Sequence, residues 1–156
     1  MEHFEVTNKR ILEVGCGLGL SSLVLNSRGA DITATDIHPE VHPNLKLNTQ
    51  LNGGTTIPYF DADWGSTKSG GKLFDLVIAS DVLYQPDHPP LLARFMSRHT
   101  REAAQIIVVD PARGRLSKFG KELKECGFTR FNKRIGEEVM QANRFKGQVH
   151  TFEKNN

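Results

Sequence analysis

Three glycines in five residues, within Ile11-Leu12-Glu13-Val14-Gly15-Cys16-Gly17-Leu18-Gly19-Leu20, constrain this chain more than any other feature. A short apolar run stops at them and a helical pattern starts after them. A glycine-rich turn between strand and helix lets backbone approach a ligand closely and turns helix N-terminal amides toward it. Turns of this kind hold nucleotide-like ligands, so the first question is which kind.

The rest of the chain says what surrounds the turn. Residues 9–14 read as a strand and 18–28 as a helix with apolar Leu20, Leu23, Val24 and Leu25, closed by Gly29. A β-branched strand at 32–35 precedes a helix at 40–51 that carries Leu45, Leu47 and Leu51 and stops at Asn52-Gly53-Gly54. The leucine stripes of both helices are expected in the core. A short third strand at 57–60 leads to a Gly/Ser/Lys-rich loop at 65–72. Residues 74–80 form a near-continuous apolar strand of the type buried on both faces of a parallel sheet. A helix at 88–98, entered through prolines 86, 89 and 90, a buried strand at 105–109 and a helix at 116–126 ended by Gly127 follow. The last apolar stretches, 128–131 and 145–152, read as an antiparallel pair at a sheet edge.

Strand–helix alternation of this kind predicts an α/β fold. It is a Rossmann-like, doubly wound, mostly parallel sheet with helices on both faces and an antiparallel C-terminal edge strand. At 156 residues it is expected to be a single domain. Ligands of such sheets bind at the carboxyl ends of the strands, where strand order reverses.

Composition excludes several classes. Hydrophobic content of 38% with 24% charged residues suits a globular protein, and a net charge of +2 gives no footprint for nucleic acid. Cys16 and Cys126 make no disulfide framework, no apolar run approaches the roughly 20 residues of a membrane span, and the N-terminus lacks a signal-peptide segment. A cytoplasmic location without membrane contact is expected. His38 and His42 are four apart, but Pro39 and Pro43 interrupt their helix face and no third ligand is placed to help, so no metal is predicted.

The phosphate loop of NTPases needs a Lys-Ser or Lys-Thr after its glycines, and none is present. A dinucleotide loop needs G-x-G-x-x-G, and Leu20 stands where its third glycine would be. The pattern is instead G-x-G-x-G, with Glu13 two residues ahead. A carboxylate there repels a pyrophosphate but suits an ammonium. Asp36, 21 positions after Gly15 at the end of the second strand, is placed to accept hydrogen bonds from ribose hydroxyls.

With these residues the chain resembles the class I, seven-β-strand S-adenosylmethionine-dependent methyltransferases over essentially its whole length. The likeness rests on Glu13-Val14-Gly15-Cys16-Gly17-Leu18-Gly19, Asp36, Asp61-Ala62-Asp63-Trp64-Gly65 and Ser80-Asp81-Val82-Leu83-Tyr84. It is closest to the branch of protein lysine methyltransferases with an Asp-x-x-Tyr motif after strand four. The resemblance implies S-adenosyl-L-methionine as cofactor and S-adenosyl-L-homocysteine as product. Glu13 would meet the methionine amino group, while Gly15, Gly17 and Gly19 admit the cofactor. Asp36 would bind the ribose, Ile37 would lie against the adenine, and Ser80 would line the cofactor side. Asp63 would accept from the adenine amine under Trp64; Asp63 and Asp61 also read as solvated loop acids, and Trp64 as a core aromatic. Asp81 and Tyr84 would hold and orient the amine as the catalytic pair; the plainer reading has Asp81 capping the next helix and Tyr84 packing on it.

Base- and glutamine-methylating enzymes of this fold carry Asn/Asp-Pro-Pro-Tyr after strand four, and this chain does not. The resemblance therefore implies N-methylation of an amine such as a protein lysine. The alternatives are a small-molecule methyltransferase, and a non-catalytic module that binds cofactor or docks a partner. Arg113 or Arg115 would hold an acidic substrate group, or simply sit in a solvated loop. Relatives carry further helices before the first strand, where only about ten residues stand here. With that cover missing, the cleft is expected to be open and shallow, and weak self-association over exposed apolar surface is expected.

Overall fold

Ile11 and Leu12 are neighbours in sequence, both fully buried, and they belong to different layers of the core. The same split recurs at Leu76 and Val77 and at Ile106 and Ile107. Side chains alternate across a strand, so these strands must be covered on both faces. The computed structural model, which describes residues 6–66, 71–111, 114–131 and 147–154, shows how.

The elements run β1 (Arg10–Val14), α1 (Leu20–Ser27), β2 (Asp31–Asp36), α2 (Val41–Leu51), β3 (Tyr59–Asp61), β4 (Phe74–Ser80), α3 (His88–Arg98), β5 (Thr100–Asp110), α4 (Leu116–Glu125), β6 (Thr129–Phe131) and β7 (Gln148–Lys154). They build one seven-stranded sheet in the order β3-β2-β1-β4-β5-β7-β6. The pairs from β3 through β5 are all parallel; β7 runs antiparallel to both β5 and β6. One face packs Leu12, Val77, Ala79, Ile106 and Val108 against Leu92, Phe95 and Met96 of α3 and Phe119 and Leu123 of α4. The other packs Ile11, Ile32, Ala34 and Ile78 against Leu25 of α1 and Leu45 of α2.

The chain leaves β1 toward β2 and β3, then returns to place β4 on the other side of β1. Strand order therefore reverses between β1 and β4, where Val14, the last residue of β1, is in register with Ala79, the residue before the end of β4. Gly15 and the residues after Ala79 open onto that crevice.

Three sequence expectations change. The leucine stripes of α1 and α2 are not all core: Leu20, Val24, Leu47 and Leu51 are exposed, and only Leu25 and Leu45 are fully buried. At 100° per residue Leu47 lies 200° around the helix from Leu45, so Thr49, four residues on, completes the buried face instead. The third strand shifts to Tyr59–Asp61, because Pro58 has no N–H for the ladder, although its carbonyl still accepts from Ala34 N–H at 2.9 Å. β5 begins five residues earlier than expected, since its first half is solvent-facing and polar at Arg101 and Glu102. The antiparallel pair at the C-terminal edge is as expected, with β6 outermost and β7 inserted beside β5. Part of the predicted 145–152 stretch lies outside the described residues. Among the described residues no helix is long and apolar enough to cross a membrane.

Candidate functional site

The glycine turn is held by its neighbours. Gly15 and Cys16 N–H both donate to the Thr35 carbonyl, at 2.9 and 3.1 Å, which ties the end of β1 to the end of β2. Gly15 has φ +66°, and a Cβ there would stand 2.7 Å from Val82 Cγ1, so position 15 requires glycine on two counts. Gly17 has φ +52° with open space around it, and Gly19 packs against Leu45 as the N-cap of α1.

Gly19 has no side chain to cap that helix, and the cap comes from β1. Glu13 is buried, and its Oε2 accepts both the amide N–H of Ser22, at 2.9 Å, and the Ser22 hydroxyl. A carboxylate at a helix N-terminus is favoured by the helix dipole as well as by the bonds. Burial raises the Glu13 carboxyl above its ordinary range; the Ser22 and Ser21 bonds oppose that rise and the Asp36 charge adds to it. The sequence reading missed this anchoring role, whose signal was a carboxylate two residues before the turn with Ser21-Ser22 just after it.

Asp36, at the end of β2, gathers three amides. Its Oδ2 accepts from Gly17 N–H at 3.0 Å, and its Oδ1 from Ile37 and His38 N–H at 2.8 and 3.1 Å. Tyr59 donates its hydroxyl to the Asp36 carbonyl at 3.1 Å, and burial with nearby negative charge pushes that phenol up to about 12. Cys16 is buried, and burial with the Glu13 and Asp36 charges raises its thiol to about 12, which makes it a packed residue rather than a nucleophile.

Across the crevice, Asp81 follows β4 with φ +53°; among the described non-glycine residues only Asn8 shares that conformation. Its N–H donates to the Val109 carbonyl at 2.9 Å. Left-handed backbone outside glycine costs of order 1–3 kcal/mol and concentrates at functional positions. Asp81 does not cap α3, whose N-cap is Asp87. Tyr84 is 54% exposed and meets the ring of His88 edge-on, 4.5 Å between centroids. Trp64 also meets the His88 ring edge-on, 5.0 Å between centroids, and packs against the core as well.

Gly15, Asp36, Ile37, Asp63, Trp64, Asp81 and Tyr84 line one cleft of about 220 Å³, together with Val82, Asp87, His88 and Leu91. Glu13, Gly17, Gly19 and Ser80 stand outside that lining: Glu13 is buried beneath the turn and Ser80 ends β4. Asp63 lines the cleft and accepts from Gly65 N–H at 2.8 Å. Asp61 instead faces an adjoining cavity of about 600 Å³ between β3 and α3, lined by Tyr59, Phe60, Phe95 and His99. Arg113 lies outside the described residues, and Arg115 precedes α4. His42 stacks on Tyr59, and His38 Nδ1 accepts from Glu40 N–H.

The cleft's charge is one-sided. Asp36, Asp63, Asp81 and Asp87 line it, with no lysine or arginine among the lining residues, in a chain whose net charge is +2. A concave wall of carboxylates concentrates cations.

Residues 1–125 match the family model described as lysine methyltransferase. The calmodulin-lysine N-methyltransferase of Arabidopsis thaliana is 30% identical over 130 residues, covering 76% of this chain and 43% of the relative. Protein-lysine methyltransferase METTL21E of Bos taurus is 32% identical over 98 residues, covering 57% and 33%. The chain thus spans less than half the length of these curated relatives. Among solved structures, a ribosomal protein L11 methylase from Lactobacillus delbrueckii subsp. bulgaricus superposes with a TM-score of 0.75 at 22% identity, covering 99% of this chain and 74% of that one. A magnesium protoporphyrin IX methyltransferase from Synechocystis PCC 6803, solved with bound SAM, gives 0.72 at 18% identity, covering 97% and 72%. At such identities the superpositions establish the fold.

Proposed function

The chain belongs to the lysine methyltransferase family, and from that premise we propose that it N-methylates an amine, a protein lysine side chain, with S-adenosyl-L-methionine as methyl donor. The observation that carries the proposal is the convergence of Gly15, Asp36, Trp64, Asp81 and Tyr84 on one acid-lined cleft at the strand-order reversal.

The residues fit the cofactor. A carboxylate offers about four lone-pair sites; Asp36 uses one on Oδ2 and two on Oδ1, which leaves an Oδ2 position for a ribose hydroxyl. Gly15 keeps the floor of the cleft clear where a Cβ would collide with Val82. Ile37 and Trp64 supply apolar faces and Asp63 an acceptor for the adenine. Glu13, with Oε2 held by Ser22, anchors the turn and adds negative charge for the amino group. When bound, the cofactor supplies an electrophilic methyl group on a sulfonium, a leaving group that is already activated.

The chain's own task is alignment and proton management. Asp81 and Tyr84, on the loop after β4, hold the incoming ammonium and orient it toward the cleft. Asp81, Asp63 and Asp87 attract that cation, and Asp81 with Tyr84 assists its proton out to water so that the nitrogen lone pair is free. We assign the activity to the cytoplasm, where two free cysteines in a reducing compartment are unremarkable.

The test is methyl transfer from labelled S-adenosyl-L-methionine into a protein extract, with mass-spectrometric mapping of the acceptor. Label on lysine Nζ supports the proposal; label confined to metabolites, or none with cofactor bound, contradicts it.

A further inference from the structure

His88 is used by no part of the proposal above, yet its ring joins one hydrogen bond to two aromatic contacts inside the cleft. It is 9% exposed and opens α3, followed directly by Pro89 and Pro90, which fix the helix start. Its Nδ1 lies 2.7 Å from the Val82 carbonyl. A carbonyl can only accept, so Nδ1 carries the proton and the bond sets the plane of the ring. Val82 is also the residue against which Gly15 is packed. The remaining edges of the imidazole meet Trp64 at 5.0 Å with an interplanar angle of 79°, and Tyr84 at 4.5 Å with 76°. Two separate loops, those after β3 and β4, thus reach one ring at the head of α3.

We propose that His88 is a positioning residue that holds the Trp64 wall and the Tyr84 wall of the cleft at one fixed separation, coupling the cofactor subsite to the amine subsite. Assigning those subsites rests on the methyltransferase reading; the coupling of the two rings does not. Trp64 and Tyr84 sit on loops that no other described ring ties together. An edge-to-face contact held in a fixed plane carries a specific geometry in addition to area. The Nδ1 bond supplies the plane, and the ring supplies both contacts.

Two substitutions separate these parts. His88→Asn keeps an N–H for the Val82 carbonyl and removes the ring; His88→Phe keeps the ring and removes the donor. The chain's only tryptophan is Trp64, so its emission reports on this wall without ligand or turnover. In the ligand-free chain, acrylamide quenching of Trp64 should rise most in His88→Asn and less in His88→Phe, which keeps both ring contacts but loses the bond that fixes their plane. Tyr84→Ala should raise quenching in the parent and add nothing in the His88→Asn background, the mark of a coupled pair. Calorimetry with S-adenosyl-L-homocysteine should show binding weakened roughly threefold to tenfold in His88→Asn and rescued to within about twofold in His88→Phe. A purely structural role would rank the variants by melting temperature instead of by ring retention.

Equal quenching in parent and His88→Asn, or an additive effect of Tyr84→Ala, overturns the proposal. If the parent chain binds no S-adenosyl-L-homocysteine, the methyltransferase reading fails by itself and the quenching cycle still decides the role of His88.

Discussion

The two ends of the sheet are both charged, and they manage charge differently. At the amino end, Lys9, Arg10, Arg28 and Arg101 surround a cavity of about 490 Å³ with Asp31 and Asp75 between them. There Arg101 bridges Asp75 at 2.9 Å, Arg10 approaches Asp31 at 3.6 Å, and the Arg10 amide donates to Asp75 at 2.8 Å. At the carboxyl end, four aspartates line the cleft without a lysine or arginine among them, and one has left-handed backbone. Mixed charge close together neutralises itself and holds loops; one-signed charge in a concavity awaits a counter-charge from outside. In the proposed reading the carboxyl end, where strand order reverses, carries the chemistry.

The largest effect should come from Asp81→Asn. Asparagine tolerates left-handed backbone as aspartate does, so the fold is kept while the charge is lost. Turnover should fall by about 10²–10⁴-fold, with S-adenosyl-L-homocysteine binding within threefold of the parent. Asp75→Asn at the other end should leave turnover unchanged. Equal loss in both would erase the distinction between the ends.

Gly15→Ala comes next. It must adopt positive φ and place a Cβ against Val82, which should cost about 1–3 kcal/mol in a denaturation melt and abolish cofactor binding by calorimetry. A stable variant with unchanged binding would contradict the close approach.

A pH series sharpens the contrast away from the cleft. Burial lowers the imidazole of His99, against the Phe95 carbonyl bond and with Arg98 adding; burial also lowers His150, with Arg130 adding and Asp110 opposing. Groups with depressed folded values bind fewer protons folded than unfolded, so their stability is present above about pH 6.5 and lost as pH falls below it. Glu13, raised by burial, works in the opposite direction. The measured quantity is therefore a difference: the loss of melting temperature between pH 7 and pH 5 should be smaller in His99→Gln than in the parent. The expected slope is below about 1.4 kcal/mol per pH unit. An unchanged slope would show that His99 does not titrate with unfolding.

The smallest effect should be at the amino end. Arg101→Ala removes a half-exposed ion pair and should cost at most about 1 kcal/mol in the same melt, shrinking further in high salt.

Much of this was legible in sequence because it rests on period and turn chemistry. β4 and α3 appear with the predicted bounds, since 74–80 is near-continuously apolar and the prolines of 86–90 mark a helix start. Gly15, Asp36, Ile37, Asp63, Trp64, Asp81 and Tyr84 were legible because each lies at the carboxyl end of a strand or within four residues of it. What was not legible depends on the third dimension. The burial of Leu45 and exposure of Leu47 follow from which helix face meets the sheet. Glu13 shows its bond to Ser22 only once β1 and α1 are folded together. His88 had a local signal, four residues after Tyr84 and therefore able to meet it near a helix start, but its contact with Trp64 spans the β3–β4 connection and carries no mark in sequence.

The account's central claim is the ligand of the glycine turn, and calorimetric titration of the 156-residue chain with S-adenosyl-L-methionine, S-adenosyl-L-homocysteine and NAD in parallel tests it most directly. The account predicts micromolar binding of the first two and none of NAD. Binding of NAD, or of none of the three, would contradict it.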